Sequence, residues 1–226
     1  MISIKELNSS MITDVKSLSR EEFKKLHQNA KPGTVDNFVA NIIDKIEYKE
    51  SGYKIYDVNG HTLEIRYDGS YSKDDKKFKY QLTESYSKKD GSLLSVRPRI
   101  VSRYFNSSRT LESWIGLCCA YLADDLPETF DCALEINVMD GCGNMVTAQH
   151  LGIDYDLHEY NLEWCLKSEN IGMGRIIKKI AKVTGGVYRF SAMDSKIKEL
   201  YQLKKYKELK AYLDKNYTKL TNYCVG

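Results

Sequence analysis

The chain has 226 residues, a formal net charge of +3 and 42% hydrophobic residues. Such a length suits one large domain or two small ones and can bury a real core, while the near-balanced charge excludes a global polyanion-binding signature. No apolar run is long enough to span a bilayer, and the opening MISIKELNSSMITDVKSLS is too polar for a secretory leader.

In chain order, Ser19 and Glu22 form an S-x-x-E capping box, which predicts a short helix to about Gln28. Lys31-Pro32-Gly33 breaks it. Thr34 caps a second helix, whose apolar residues Val35, Phe38, Val39, Ile42, Ile43 and Ile46 keep helical spacing. Strands follow. YKIYDV and HTLEIRY flank Asn59-Gly60, a strong hairpin signal, and KFKYQLTESY alternates through Phe78, Tyr80 and Leu82. Asp90-Gly91 turns into LLSVRPRIVSRYF, where Pro98 cannot donate to a ladder and marks an edge or a break. The expectation is a meander of about four strands.

A helix is expected from about Ser108 to Asp125, with Leu111, Trp114, Ile115, Cys118 and Leu122 on one face and Pro127 closing it. CALEINVMD, the turn GCGN and MVTAQHLGI read as a hairpin, and YNLEWCL as a further strand. SENIGMGRIIKKIAKVTGG then opens a helix with the stripe Met173, Ile176, Ile177, Ile180 and Ala181, ended by Gly185-Gly186. VYRFSA reads as a strand, and Asp194 caps a last helical region containing Ile197, Leu200 and Tyr201. There is no internal repeat. The weakest seam, near Lys88 to Ser92, separates an N-terminal helical and β-meander region (1–92) from an α/β region (93–226), so the fold class is α+β.

The two glycines at the mouth of a helix, Gly172 and Gly174, have two physical uses. They permit close helix–strand packing, or they let bare backbone N–H groups wrap a phosphate at a positive helix end. The order helix, strand, turn, strand, strand, GxG, helix, strand, helix resembles the GNAT N-acetyltransferase superfamily over roughly Arg97 to Leu209. ENIGMGRII matches the two glycines of that family's Q/R-x-x-G-x-G/A motif, and DSKIKELYQLKKYKEL matches the Leu-Tyr pair of its later helix at Leu200-Tyr201. The chain departs from the pattern at Glu169, where Gln or Arg is usual, and at Asp194 and Ile197, where Asn and Ala are usual. Lys205-Tyr206 replaces the usual Gly-Phe, and Arg175, Lys178 and Lys179 partly offset Glu169.

The resemblance implies an acyl-CoA-dependent N-acyltransferase with a GNAT-like mixed sheet and acetyl-CoA as donor. Gly172, Met173, Gly174 and Arg175 would hold the pyrophosphate, and Trp164 and Leu166 would lie along the pantetheine arm. Tyr201 would protonate the leaving thiolate. Tyr201 also fits a core aromatic in an amphipathic stripe. As base, the candidates are Glu163 and, just upstream, Asp154, Asp156 and Glu159. Glu163 is preferred because LEWCL alternates, which puts Glu163 with Cys165 opposite Leu162, Trp164 and Leu166.

A different reading is binding without chemistry. From Gly91 to Leu111 there are four arginines, Arg97, Arg99, Arg103 and Arg109, and no acid. With Lys77 and Lys79 interleaved among aromatics, they suit nucleic acid or a host nucleic-acid-binding complex. The abundance of Lys, Asn and Tyr beside only three prolines suits a phage or mobile element. Solvated charge on an outer strand face accounts for the same residues. Cys132, Cys142, His150 and His158 match no compact zinc spacing, and His27 and His61 are isolated. The six cysteines form no CxxC pair, which suits reduced thiols and a cytoplasmic location.

Overall fold

The computed structural model describes residues 16–67, 78–104, 107–130, 134–138, 145–150, 156–167, 170–171, 180, 183–184, 193–203 and 205–221. Helices and antiparallel sheets together make the chain α+β. A two-residue strand β1 (Ser17–Leu18) leads into helix α1 (Arg20–Leu26). The Ser19–Glu22 capping box is present in full, with each side chain bonded to the other residue's backbone N–H, so two orphan donors of the first turn are satisfied. Thr34 caps α2 (Val35–Asn37), which runs straight into a π-helical turn over Phe38–Ile42.

The expected second helix is too long. Ile43 and Ile46 stand on strand β2 (Ile43–Lys49), paired antiparallel with β3 (Gly52–Asp57). Their helix-like spacing comes from a bulge between Ile43 and Lys45. In a regular strand, residues three apart point to opposite faces; the extra bulged residue restores both to the core. Both are buried.

Strand β4 (Thr62–Arg66) completes the sheet β2-β3-β4, with Asn59-Gly60 at the β3–β4 turn as expected. Gly52 has φ +145°, and a Cβ there would lie 1.9 Å from the Ile65 carbonyl oxygen, so only glycine fits this approach of β3 to β4.

The expected four-strand meander is instead two three-stranded sheets. The second is β5 (Phe78–Tyr86), β6 (Leu93–Ser102) and β7 (Ser107–Thr110), in that order. Pairing of β6 with β7 stops at Arg99, so Pro98 sits at the first position where that side of the strand is open and loses no partner. Position 92, the expected boundary, lies in the β5–β6 turn, where Ser87 N–H donates to the Ser92 carbonyl. One buried cluster draws residues from both sides of it, from Leu18 to Trp164.

Helix α3 (Leu111–Leu122) runs through that cluster and touches β2, β3, β4, β6, β7 and the strands that follow it. It starts later than expected because Ser107–Thr110 pairs with β6, and it ends at Leu122, capped by Ala123, just before Asp124 with φ 55° and well before Pro127. Leu111, Trp114, Ile115 and Cys118 are buried as expected, but Leu122 is exposed. Pro127 belongs to the short strand β8 (Leu126–Pro127), which pairs with β1. Gly116 lets α3 approach the next strand, since a Cβ there would meet Ile136 Cδ1 at 2.5 Å.

That strand is β9 (Leu134–Val138), and its partner is not the segment after GCGN. MVTAQH is helix α4 (Met145–His150), and β9 pairs with β10 (Leu162–Leu166). Six consecutive residues with only two β-branched members are equally suited to a helical turn, and the true hairpin closes across a longer connection. Asp194 caps α5 (Ser195–Gln202), accepting from the Lys196 and Ile197 N–H groups, and α6 (Tyr206–Thr221) follows. All strand pairs among the described residues are antiparallel. The expected strand VYRFSA lies outside the described residues, as do Gly185 and Gly186. No helix among the described residues is long and apolar enough to cross a membrane.

Candidate functional site

The β9–β10 hairpin separates two cores, and its alternation decides what each receives. Leu134, Ile136, Val138, Leu162 and Trp164 belong to the larger cluster around α3. Cys165 belongs to a second cluster with Ile180, Ile197, Leu200, Tyr201, Leu209 and Leu213. Glu163 shares a face with Cys165, as expected, and Asn137 stands directly opposite Glu163 in the strand register.

Two of the candidates come together on this second face. Tyr201 from α5 donates its hydroxyl to Glu163 Oε1 at 3.4 Å. Asn137 Nδ2 donates to the same Oε1 at 2.8 Å and lies 3.3 Å from the Tyr201 hydroxyl oxygen. The three side chains are nearly dry, with Asn137 6%, Glu163 3% and Tyr201 2% exposed. A buried carboxylate is tolerated only when donors surround it, and here an amide and a phenol from two other elements supply them. Burial pushes the Tyr201 phenol far above its ordinary pKa, and the neighbouring Glu163 carboxylate and Tyr206 push it further; the Asn137 amide pulls the other way. The phenol is therefore neutral across the physiological range.

Asn137 escapes a reading of the sequence alone. LEINV puts Glu135 and Asn137 on one face of an otherwise apolar strand, and that break in the pattern is the available signal. Its partner depends on register with a strand 26 positions away.

The opposite face of the hairpin opens to a cleft. Trp164 lines it with Arg109, Ser113, Thr129, Phe130, Glu135 and Ile136, and the cleft is small, about 20 Å³, room for a single water. The Trp164 and Phe130 ring centroids are 6.3 Å apart. Thus Trp164, a candidate for the cofactor arm, and Arg109, a candidate for anions, share one wall, while Glu163 and Tyr201 lie on the other side of the strand.

The arginines do not form a single patch. Arg97 and Arg99 lie on one face of β6, with Arg99 opposite Thr110, whereas Arg109 stands opposite Ile100 on the other face. Arg97 Nη1 reaches Glu112 Oε1 at 3.9 Å. Burial pushes the Glu112 carboxyl up, against its own backbone N–H and the pull of Arg97, Thr110 and Arg99. Arg99 Nε and Glu112 Oε2 are buried without a hydrogen-bond partner among the described residues. Arg103 is exposed in the turn after β6. Lys79 stands on β5 opposite Val101, and Lys77 lies outside the described residues.

Leu166 ends β10 opposite Leu134. Gly172, Met173, Gly174 and Arg175 lie outside the described residues, as do Asp154, Cys132 and Cys142. Among the thiols, burial pushes Cys119 up to about 11 and Cys118 well above its ordinary value, so neither is a ready nucleophile at neutral pH. No protein-family model, curated protein or solved structure matches the chain.

Proposed function

We propose that the chain is an acyl-CoA-dependent N-acyltransferase that acts on an amine in the cytoplasm, with acetyl-CoA as the simplest donor. The observation that carries this reading is the meeting of Tyr201 with Glu163 at 3.4 Å, on the strand that precedes Gly172 and Gly174 in the sequence. A neutral phenol in a dry site donates to charge that develops on a leaving sulfur once its single proton, which goes to Glu163 here, turns to the sulfur. Because its pKa is raised, Tyr201 stabilises the sulfur mainly through that hydrogen bond, and complete proton transfer is secondary. Glu163 is committed to Asn137 and Tyr201, so in this reading it is a positioning residue that aims the phenol and does not deprotonate the amine.

The cleft with Trp164, Phe130 and Arg109 opens on the other face of the strand from Tyr201 and lies outside this reading. The test is a melting experiment. Acetyl-CoA should raise the melting temperature by mass action, and Gly174→Glu should abolish the rise. No shift at roughly millimolar acetyl-CoA with the parent protein contradicts the reading.

A further inference from the structure

We propose that Asp156 and His158 form a second, solvent-facing site, a general base that activates water towards esters carrying a flat apolar group. The site lies apart from Asn137, Glu163 and Tyr201 and does not rest on the acyl-CoA reading.

The geometry begins with a tight turn. Asp156 Oδ1 accepts from the His158 backbone N–H at 3.0 Å and from His158 Nδ1 at 2.7 Å, while Asp156 Oδ2 accepts from the Tyr160 hydroxyl at 2.6 Å. The Asn161 amide holds the Asp156 carbonyl at 2.8 Å. Burial pushes the Asp156 carboxyl up, but the bonds from Tyr160 and from the backbone and ring of His158 outweigh it and leave the group lowered. An ionised carboxylate only accepts, so Nδ1 must carry the proton. In the neutral ring Nε2 then bears the lone pair, and no hydrogen bond to it exists among the described residues.

Aromatic rings fix the plane of the imidazole. Tyr67, at the end of β4, stacks on one face with centroids 4.0 Å apart and planes 23° apart. Tyr160 also stacks on the imidazole, at 5.3 Å and 13°. The His158 side chain is 42% exposed. The groups that face it are Asp156, Glu159 and Tyr160 from its own segment and Tyr67 from β4; the Glu159 carboxylate is occupied by the Tyr67 hydroxyl at 2.9 Å. Tyr160 is 64% exposed, so its ring offers a flat seat beside the imidazole. His61 also bonds an aspartate, Asp57, through Nδ1 at 2.9 Å, but no aromatic ring stacks on it among the described residues.

In the step, a water O–H bond breaks and the proton goes to Nε2. The oxygen forms a bond to the ester carbonyl carbon, and the bond to the leaving oxygen breaks. The leaving oxygen takes the proton back from the imidazolium, giving acid and alcohol. Asp156 stabilises the imidazolium in between.

The probe is p-nitrophenyl acetate, with release of p-nitrophenol followed against pH. The parent should cleave it faster than the same concentration of free imidazole. His158→Gln should lower the rate by about tenfold or more, and Asp156→Asn by a smaller factor. His61→Gln should keep most of it. A parent rate no greater than that of free imidazole, or an unchanged rate in His158→Gln, overturns the proposal. Nitrogen-15 spectra give an independent check on the parent: the neutral ring should carry its proton on Nδ1, and a ring protonated at Nε2 overturns it as well.

Discussion

Asn137 and Glu163 stand directly opposite each other on β9 and β10, and the amide of one donates to the carboxylate of the other at 2.8 Å. This cross-strand pair is a buried polar contact on the face that also carries Glu135 and Cys165. Its position between two cores means that α5 must bring a donor, and Tyr201 is that donor. The pair thus links the hairpin to the C-terminal helices through chemistry as well as packing.

Asn137→Leu tests that link. The change keeps most of the volume but removes the amide donor at 2.8 Å from a dry carboxylate. The expected cost is about 1–3 kcal/mol, the range for a buried polar group deprived of its partner. Urea denaturation measures it. Stability equal to that of the parent would mean that Glu163 does not depend on the amide.

Gly52→Ala tests the close approach of β3 and β4. The new methyl would collide with the Ile65 carbonyl oxygen, and φ at +145° is strained for any side chain. The loss should exceed about 2 kcal/mol, because the obstacle is backbone and cannot rotate away. A melting temperature within a degree or so of the parent's would contradict the described turn into β3.

Asp57 makes a prediction with a definite sign. Burial pushes its carboxyl up, but bonds from the His61 backbone and ring and from the Asn59 N–H outweigh that, so its folded pKa lies below the ordinary value. A depressed carboxylate contributes stability above its unfolded pKa and loses it as pH falls through the folded one. Between about pH 5 and pH 2 the parent should therefore lose more melting temperature than Asp57→Asn does. Parallel pH profiles would show that Asp57 contributes nothing through its charge.

What could be read from the sequence was local. Ser19 with Glu22, Thr34, Asn59-Gly60 and Asp194 act on residues within four positions, and each caps or turns the chain where expected. What could not be read was set by partners far along the chain. Ile43 and Ile46 imitate a helix because a bulge, visible only once β3 is paired, turns both inwards. MVTAQH was expected to pair with β9, but β10 holds that place. The face of Glu163 followed from alternation alone. Its donor Asn137 did not, because register is a tertiary choice.

The proton-handling claim for Tyr201 is tested most directly by thiol release from acetyl-CoA, measured across a panel of amines for the parent and for Tyr201→Phe. The substitution keeps the ring and removes one hydroxyl, so stability should change by about 1 kcal/mol and acetyl-CoA affinity should hold. Turnover should fall by about 10²–10⁴ if the phenol stabilises the leaving sulfur. Equal turnover in the two proteins, or no thiol release by the parent with any amine, would contradict the account.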